Sequence, residues 1–358
     1  MIKKLLGKIP AHLEGDVVQR KDKCNLCGEN SGKLLSVIDY WDIRETSLVK
    51  CETCGLAQLD PMLTDEDTST GCLAYYIEES LRCPVKGQEN NLLRNFRRGV
   101  LFAYSLRRRK LCPAEILEFG PGSGYFLQGI RFVFPDVRIT VMDINQEVLS
   151  FNKTHHGYEI VLSTPEEYLP GFADKFDLII ARDIIEHVSD ISKMIGNVIK
   201  YSCAGGLFHF ITPNGHEDLW KHYLTHKYLR KHSELLINHV NYFDGKGLLN
   251  YLKQKKFVPV EYYNFTFKTT LRGRGWKVKS KLMAEVSQKK NAGYFINEKI
   301  SEVRNIDFDK KKILDKWYIS EKRKFVTFLM SWYHHATFIH IDPAINIGHE
   351  TYGLFRIP

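Results

Sequence analysis

The stretch Ile116-Leu117-Glu118-Phe119-Gly120-Pro121-Gly122-Ser123-Gly124-Tyr125-Phe126-Leu127 decides how this chain folds. Residues Glu115 to Phe119 make a short apolar run of strand length, and it stops at three glycines. Tyr125 to Phe134 then reads as a helix. Glycines in such a turn let the backbone reverse sharply and let a ligand approach it closely. The helix behind the turn offers unpaired N–H groups and the positive end of its dipole.

Working outward, strand and helix patterns alternate. Val137–Met142, Phe176–Ala181 and Gly206–Ile211 read as strands; Asn145–His155 and Ile191–Tyr201 read as helices. A helix at Gly247–Lys255 and strands at Phe257–Phe267 and Thr351–Ile357 follow. An arginine-rich helical pattern, Asn91–Lys110, precedes the glycine turn. This alternation predicts an α/β fold, a Rossmann-like sheet that is mostly parallel with right-handed crossovers.

The glycine spacing bears on the ligand. A dinucleotide fingerprint is GxGxxG, whereas here the third glycine comes one residue early and Tyr125 stands where the last glycine belongs. Glu118 at the start of the turn would repel a pyrophosphate, yet suits an ammonium group. The next strand ends in Asp143, where a βαβ nucleotide site keeps an acid for ribose hydroxyls.

The strings ILEFGPGSGYFL (116–127), VMDIN (141–145), FDLIIARDIIEHVSD (176–190) and GGLFHFITPN (205–214) together resemble the class I methyltransferases, which use S-adenosylmethionine. The resemblance covers roughly residues 90 to 265 and the last strand at 351 to 357. It implies that Glu118, Gly120, Gly122 and Gly124 hold the methionine part of the cofactor. It also implies that Asp143 binds the ribose, that Ser163 and Thr164 lie beside the adenine, and that Arg182 lines the methionine side, where many relatives carry another polar residue. Methyl transfer needs alignment and, for a hydroxyl or amine acceptor, a base. His187 and His239 match family histidines and are the candidates, with Asp183, Glu186 and His216 behind them. Each histidine has an alternative structural reading as a cap or packing residue.

Two knuckles, Cys24-Asn25-Leu26-Cys27-Gly28 and Cys51-Glu52-Thr53-Cys54-Gly55, offer four thiolates on tight turns. A four-thiolate tetrahedron fits zinc, and a closed set has a structural role; an iron–sulfur cluster and redox thiols are the alternatives. The front end, with Tyr75 and Tyr76, is similar to the amino-terminal zinc module of a group of bacterial methyltransferases that act in sugar, polysaccharide and secondary-metabolite pathways. The tyrosine pair reads either as a cover over the cofactor or as core.

The expected division is a zinc module over 1–62, a helical linker or lid over 63–112, a methyltransferase core over 113–267 and 348–358, and a helical insertion over 268–347 that selects substrate. Eight cysteines without a secretory pattern, and no apolar run of membrane-spanning length, predict a cytoplasmic protein with no transmembrane segment. A net charge of +9 favours anionic partners. Arg94, Arg97, Arg98 and Arg107–Lys110, and Arg272, Arg274, Lys277, Lys279 and Lys281 around Trp276, are either solvated faces or grips for nucleic acid, a pyrophosphate-linked sugar or an anionic membrane surface. The leading expectation is a methyltransferase for a small-molecule acceptor, possible anionic character included. An RNA or protein methyltransferase and a non-enzymatic zinc-organised binding protein are the alternatives.

Overall fold

A computed structural model of the chain describes residues 16–40, 44–64, 89–216, 218–219, 239–265 and 350–358. Tyr75, Tyr76 and the 268–347 insertion, with its basic-aromatic stretch, lie outside the described residues.

Strand β5 (Glu115–Phe119) lies between β6 (Arg138–Asp143) and β8 (Phe176–Arg182), parallel to both. Its apolar residues from Ile116 to Phe119 are buried on both faces, which is why the run is continuous rather than alternating. β7 (Glu159–Leu162) extends the sheet beyond β6, and β9 (Ser202–Pro213) extends it beyond β8. β12 (Glu350–Arg356) then pairs antiparallel with β9, and β11 (Val258–Phe265) antiparallel with β12. The seven strands run β11-β12-β9-β8-β5-β6-β7. The order reverses between β5 and β8, and a sheet of this kind opens a crevice at the carboxyl ends of the strands there.

Helices cover both faces. α1 (Glu89–Arg108), α2 (Tyr125–Val133) and α3 (Gln146–His156) take one side, where Leu106, Phe126, Leu127, Ile130 and Leu149 pack on the sheet. α4 (Ile191–Tyr201) and α5 (Gly245–Gln254) take the other. Sequence-local caps start three of these helices. Asn145, Asp190 and Asp244 each accept a first-turn N–H, the satisfaction that an orphan helix terminus requires.

The amino-terminal region forms a second sheet, antiparallel throughout: β1 (Val17–Gln19), β2 (Ser31–Tyr40), β3 (Arg44–Lys50) and β4 (Ala57–Asp60), closed by β10 (Asn241–Tyr242). The knuckles sit at its end. Cys24, Leu26, Cys51 and Leu56 join the same apolar cluster as Phe243, Leu248 and Leu252, so this sheet and the large one share a core.

The sequence pattern misses β7. Four residues at a sheet edge, none of them fully buried, carry too little apolar contrast to be read. It also starts β9 four residues late, because Gly205 and Gly206 interrupt the pattern in the lead-in from Ser202.

α1 crosses α2 at two facing glycines. A methyl on Gly99 would lie 1.9 Å from the Phe126 carbonyl oxygen, and one on Gly129 would lie 2.1 Å from that of Phe96. Neither helix can yield without moving backbone. Gly99→Ala is therefore expected to destabilise the fold by about 1–3 kcal/mol and lower Tm by several degrees in thermal unfolding. Gly196→Ala in α4, where an added methyl meets nothing within 4 Å, should be neutral or stabilising by about 0.5–1 kcal/mol.

Candidate functional site

The glycine turn follows β5 directly, and its three glycines all have positive φ: +61° at Gly120, +51° at Gly122 and +70° at Gly124. Their surroundings divide the work. A methyl at position 120 would strike Ile184 at 2.2 Å and one at 124 would strike Asn152 at 2.1 Å, so these two permit close packing. A methyl at position 122 would meet no described residue within 4 Å, so among the described residues this glycine borders open space. Three side chains grip the turn's carbonyls from behind: the Asn152 amide on Gly122 at 2.8 Å, His156 Nε2 on Ser123 at 2.8 Å and the Tyr158 hydroxyl on Gly124 at 3.1 Å. With the carbonyls held there, the turn keeps one fixed shape.

Beside the turn lies an incomplete pair of buried charges. Glu118 is 1% exposed and its Oε1 is 3.9 Å from Arg182 Nη1, while its Oε2 accepts no hydrogen bond among the described residues. Arg182 ends β8, stacks its guanidinium over the Phe126 ring at 3.9 Å, and leaves Nε without an acceptor among the described residues. Burial pushes the Glu118 carboxyl up to about 8 against the pull of Arg182, and burial also lowers Arg182. An ion pair this loose does not repay the desolvation of its members. The pair has capacity left for an ammonium group at Glu118 and an acceptor at Arg182.

Asp143 ends β6, accepts the Asn145 N–H at 2.8 Å, and is raised by burial to about 6. Ser163 and Thr164 follow β7; the Ser163 N–H donates to the Asp143 carbonyl at 3.2 Å and its hydroxyl to Glu167 at 2.8 Å. The structure thus brings Glu118, the glycine turn, Asp143, Ser163, Thr164 and Arg182 to the carboxyl ends of four adjacent strands, β7-β6-β5-β8.

His187 lies in the turn after β8 and His239 just before β10, with ring centroids 5.1 Å apart. The Glu186 carbonyl draws them together by accepting the Val240 N–H at 2.9 Å and the Asn241 N–H at 3.0 Å. Sequence reasoning missed Asp218, whose carboxylate, 2% exposed, meets His239 Nδ1 at 2.8 Å. No spacing rule links an acid to a histidine 21 residues away. Asp183 and His216, the lesser candidates, sit in the same region; Asp183 takes a left-handed φ of +54° and His216 is 7% exposed.

The four cysteines converge. Cys24 and Cys54 Sγ are 3.4 Å apart, as are Cys27 and Cys51, and all four sulfurs lie within 4.8 Å of one another. Zn–S bonds of 2.3 Å place tetrahedral sulfurs about 3.8 Å apart, so the set fits a zinc ion. Gly28 and Gly55, at φ +77° and +78°, make each knuckle turn, as their position after the second cysteine predicts. The thiols cannot all ionise unaided: the Cys54 thiol bonded to it lowers Cys24 to about 5, while Cys54 itself is pushed up by that bond and by burial. A cation resolves the conflict.

The first knuckle touches the histidine loops directly. The Asn25 amide donates to the Ser189 carbonyl at 3.0 Å and to Asn241 Oδ1 at 3.1 Å, and the Asn241 amide donates to the Val188 carbonyl at 2.7 Å.

An open, mostly parallel sheet with ligand groups at its switch point defines a Rossmann-like nucleotide-cofactor domain. Residues 90–262 match the family described as methyltransferase domain. Over 126 residues the chain is 25% identical to a malonyl-[acyl-carrier protein] O-methyltransferase of Bacillus cytotoxicus, covering 35% of this chain and 44% of that protein. Over 108 residues it is 29% identical to a ubiquinone biosynthesis O-methyltransferase of Paramagnetospirillum magneticum, covering 29% and 43%. A SAM dependent methyltransferase from Archaeoglobus fulgidus aligns with a TM-score of 0.40 at 15% identity, over 72% of this chain and 93% of that one. The chain spans less than half the length of the curated relatives it matches. Over residues 90–262, just under half of its length, the chain thus resembles the S-adenosylmethionine-dependent methyltransferases.

Asn25→Ala removes two hydrogen bonds between knuckle and loops, each worth about 1 kcal/mol. The expected result is a Tm lower by a few degrees, measured by thermal unfolding, with the metal content unchanged.

Proposed function

We propose that this chain methylates a small-molecule acceptor (a sugar, glycan precursor or secondary metabolite) with S-adenosylmethionine as donor. One observation carries the reading: open space at Gly122 beside a buried Glu118–Arg182 pair with polar atoms left over. The two curated relatives described above, both O-methyltransferases, favour oxygen as the accepting atom.

Bound S-adenosylmethionine supplies a methyl group already activated on a sulfonium, so the chain contributes alignment, exclusion of water and proton removal. In this reading Glu118 takes the ammonium and Arg182 the carboxylate of the methionine part. Gly122 lets it approach the backbone while Gly120 and Gly124 keep the turn that holds it packed, Asp143 accepts from the ribose hydroxyls, and Ser163 and Thr164 flank the adenine. Asp218 meets Nδ1 of His239 at 2.8 Å and orients the ring, and His239 is the proposed base for the acceptor's proton; His187 beside it helps position the acceptor. The four cysteines hold one zinc ion in a structural role, and a reducing cytoplasm keeps them ligands rather than disulfides. We assign 1–62 to the zinc module, 63–112 to a linker or lid, 113–267 and 348–358 to the core, and substrate selection to the 268–347 insertion.

Calorimetric titration with S-adenosylmethionine tests the cofactor site. Asp143→Ala should weaken binding by about ten- to a hundredfold, the loss of charge-assisted hydrogen bonds worth about 1.5–3 kcal/mol. Gly122→Arg should abolish it. Absence of binding to the folded, metal-loaded wild type would sink the reading.

Affinity should also depend on pH with a defined sign. Glu118 titrates near 8 in the empty site and must be ionised to hold an ammonium. Below that value binding has to expel a proton, so affinity should rise between pH 6 and pH 8 by at most about tenfold per unit. Glu118→Gln should flatten the rise.

Cys51→Ser should remove one equivalent of zinc, seen by metal analysis, and lower Tm markedly, because Cys51 is 0% exposed within the shared core.

A further inference from the structure

Among the described residues a second group of side chains comes close enough to hold a metal ion, away from the cysteines: Glu186, His187 and His239, whose ligand atoms lie within 4.8 Å of one another. Donors 2.1 Å from a tetrahedral ion stand about 3.4 Å apart, so a bound ion has only to draw the three together. Glu186 is 1% exposed; its Oε2 accepts the Thr212 hydroxyl at 2.9 Å, while Oε1 accepts no hydrogen bond from any described residue. A buried carboxylate oxygen left in this way is costly unless a cation or proton meets it. His239 has the support that metal-bound histidines carry, a carboxylate on its other ring nitrogen, supplied by Asp218 at 2.8 Å. The backbone is braced as well, since the Glu186 carbonyl accepts both the Val240 and Asn241 N–H groups.

We infer that Glu186, His187 and His239 form a binding site for a first-row divalent transition cation, with a coordination position left open for an oxygen donor. Two imidazoles and one carboxylate select such ions over magnesium and calcium, which take oxygen ligands. Three protein ligands are one short of a closed tetrahedron, unlike the four cysteines. With a cation bound, His239 is a ligand and no longer the proposed base, so the two roles are alternatives; the inference depends on the methyltransferase reading only for the occupant of the open position, an acceptor hydroxyl or carbonyl oxygen, and binding of the cation is tested apart from it.

The 358-residue chain, its cysteine site loaded with zinc, is titrated with Co2+ and followed by visible absorption and by metal analysis per chain. S-adenosylmethionine binding is measured by calorimetry on the same samples. The expected result is a second metal equivalent whose absorption lacks thiolate charge-transfer bands. Glu186→Gln, which keeps the side chain's shape, should bind cobalt at least tenfold more weakly, as should His187→Ala, both retaining one zinc. Asp218→Asn should weaken it about tenfold through loss of the outer support. One metal per chain at saturating cobalt, or unchanged cobalt binding in both Glu186→Gln and His187→Ala, overturns the site. Cobalt binding without S-adenosylmethionine binding upholds the cation site and removes the methyltransferase reading. S-adenosylmethionine binding without a second metal does the reverse.

Discussion

The carbonyl of Glu186 accepts two backbone N–H groups, from Val240 at 2.9 Å and Asn241 at 3.0 Å, and much of the molecule is hung on that one oxygen. It joins the turn after β8 to the segment that becomes β10. β10 in turn pairs with β4, so the same oxygen ties the large sheet to the small one. The consequence for the site is immediate: His187 and His239, 52 residues apart in sequence, face each other because the residue before one accepts from the two residues after the other. Asn25 repeats the device from the knuckle side, bonding Ser189 and Asn241 together. The metal-binding turn and the histidine pair are therefore supported by one hydrogen-bonded network, and such networks rigidify only when every member is satisfied.

The site itself departs from that rule. Glu118 Oε2, Arg182 Nε and Glu186 Oε1 are buried polar atoms with no hydrogen-bond partner among the described residues. Buried polar groups are ordinarily paired, and a fold that leaves three so close to one crevice bears a cost there. The rest of the structure offsets it. The glycine turn is held by three side-chain bonds, and most residues of the strands beneath it are buried. Preorganised polar groups of this kind exert their full effect in a dry site, where fields are not screened by water.

How much of this was legible in the sequence depended on distance along the chain. The glycine turn, the strand before it and the two cysteine knuckles are local signals, and the structure places them as read. Asp143 and Arg182 end strands that the regular alternation predicts, whereas Ser163 and Thr164 follow the unread β7 and were expected only from the family resemblance. Asp218 and Asn25 were invisible for the opposite reason. Their partners lie 21, 164 and 216 residues away, and nothing in composition or period encodes such a meeting. β7 was lost to its own shortness: its half-exposed residues carry no periodic contrast.

β10 contributes only two residues, Asn241 and Tyr242, yet both are fully enclosed and they cover the outer edge of β4. An uncovered edge strand is a template for pairing with another chain. The cysteine-bearing sheet is thus finished by a strand borrowed from the far half of the sequence. Cut free, it would lose both its last strand and the apolar floor made by Phe243, Leu248 and Leu252. What looks like a detachable amino-terminal cassette is one side of a joint, and the two halves have to be inherited, exchanged and expressed together.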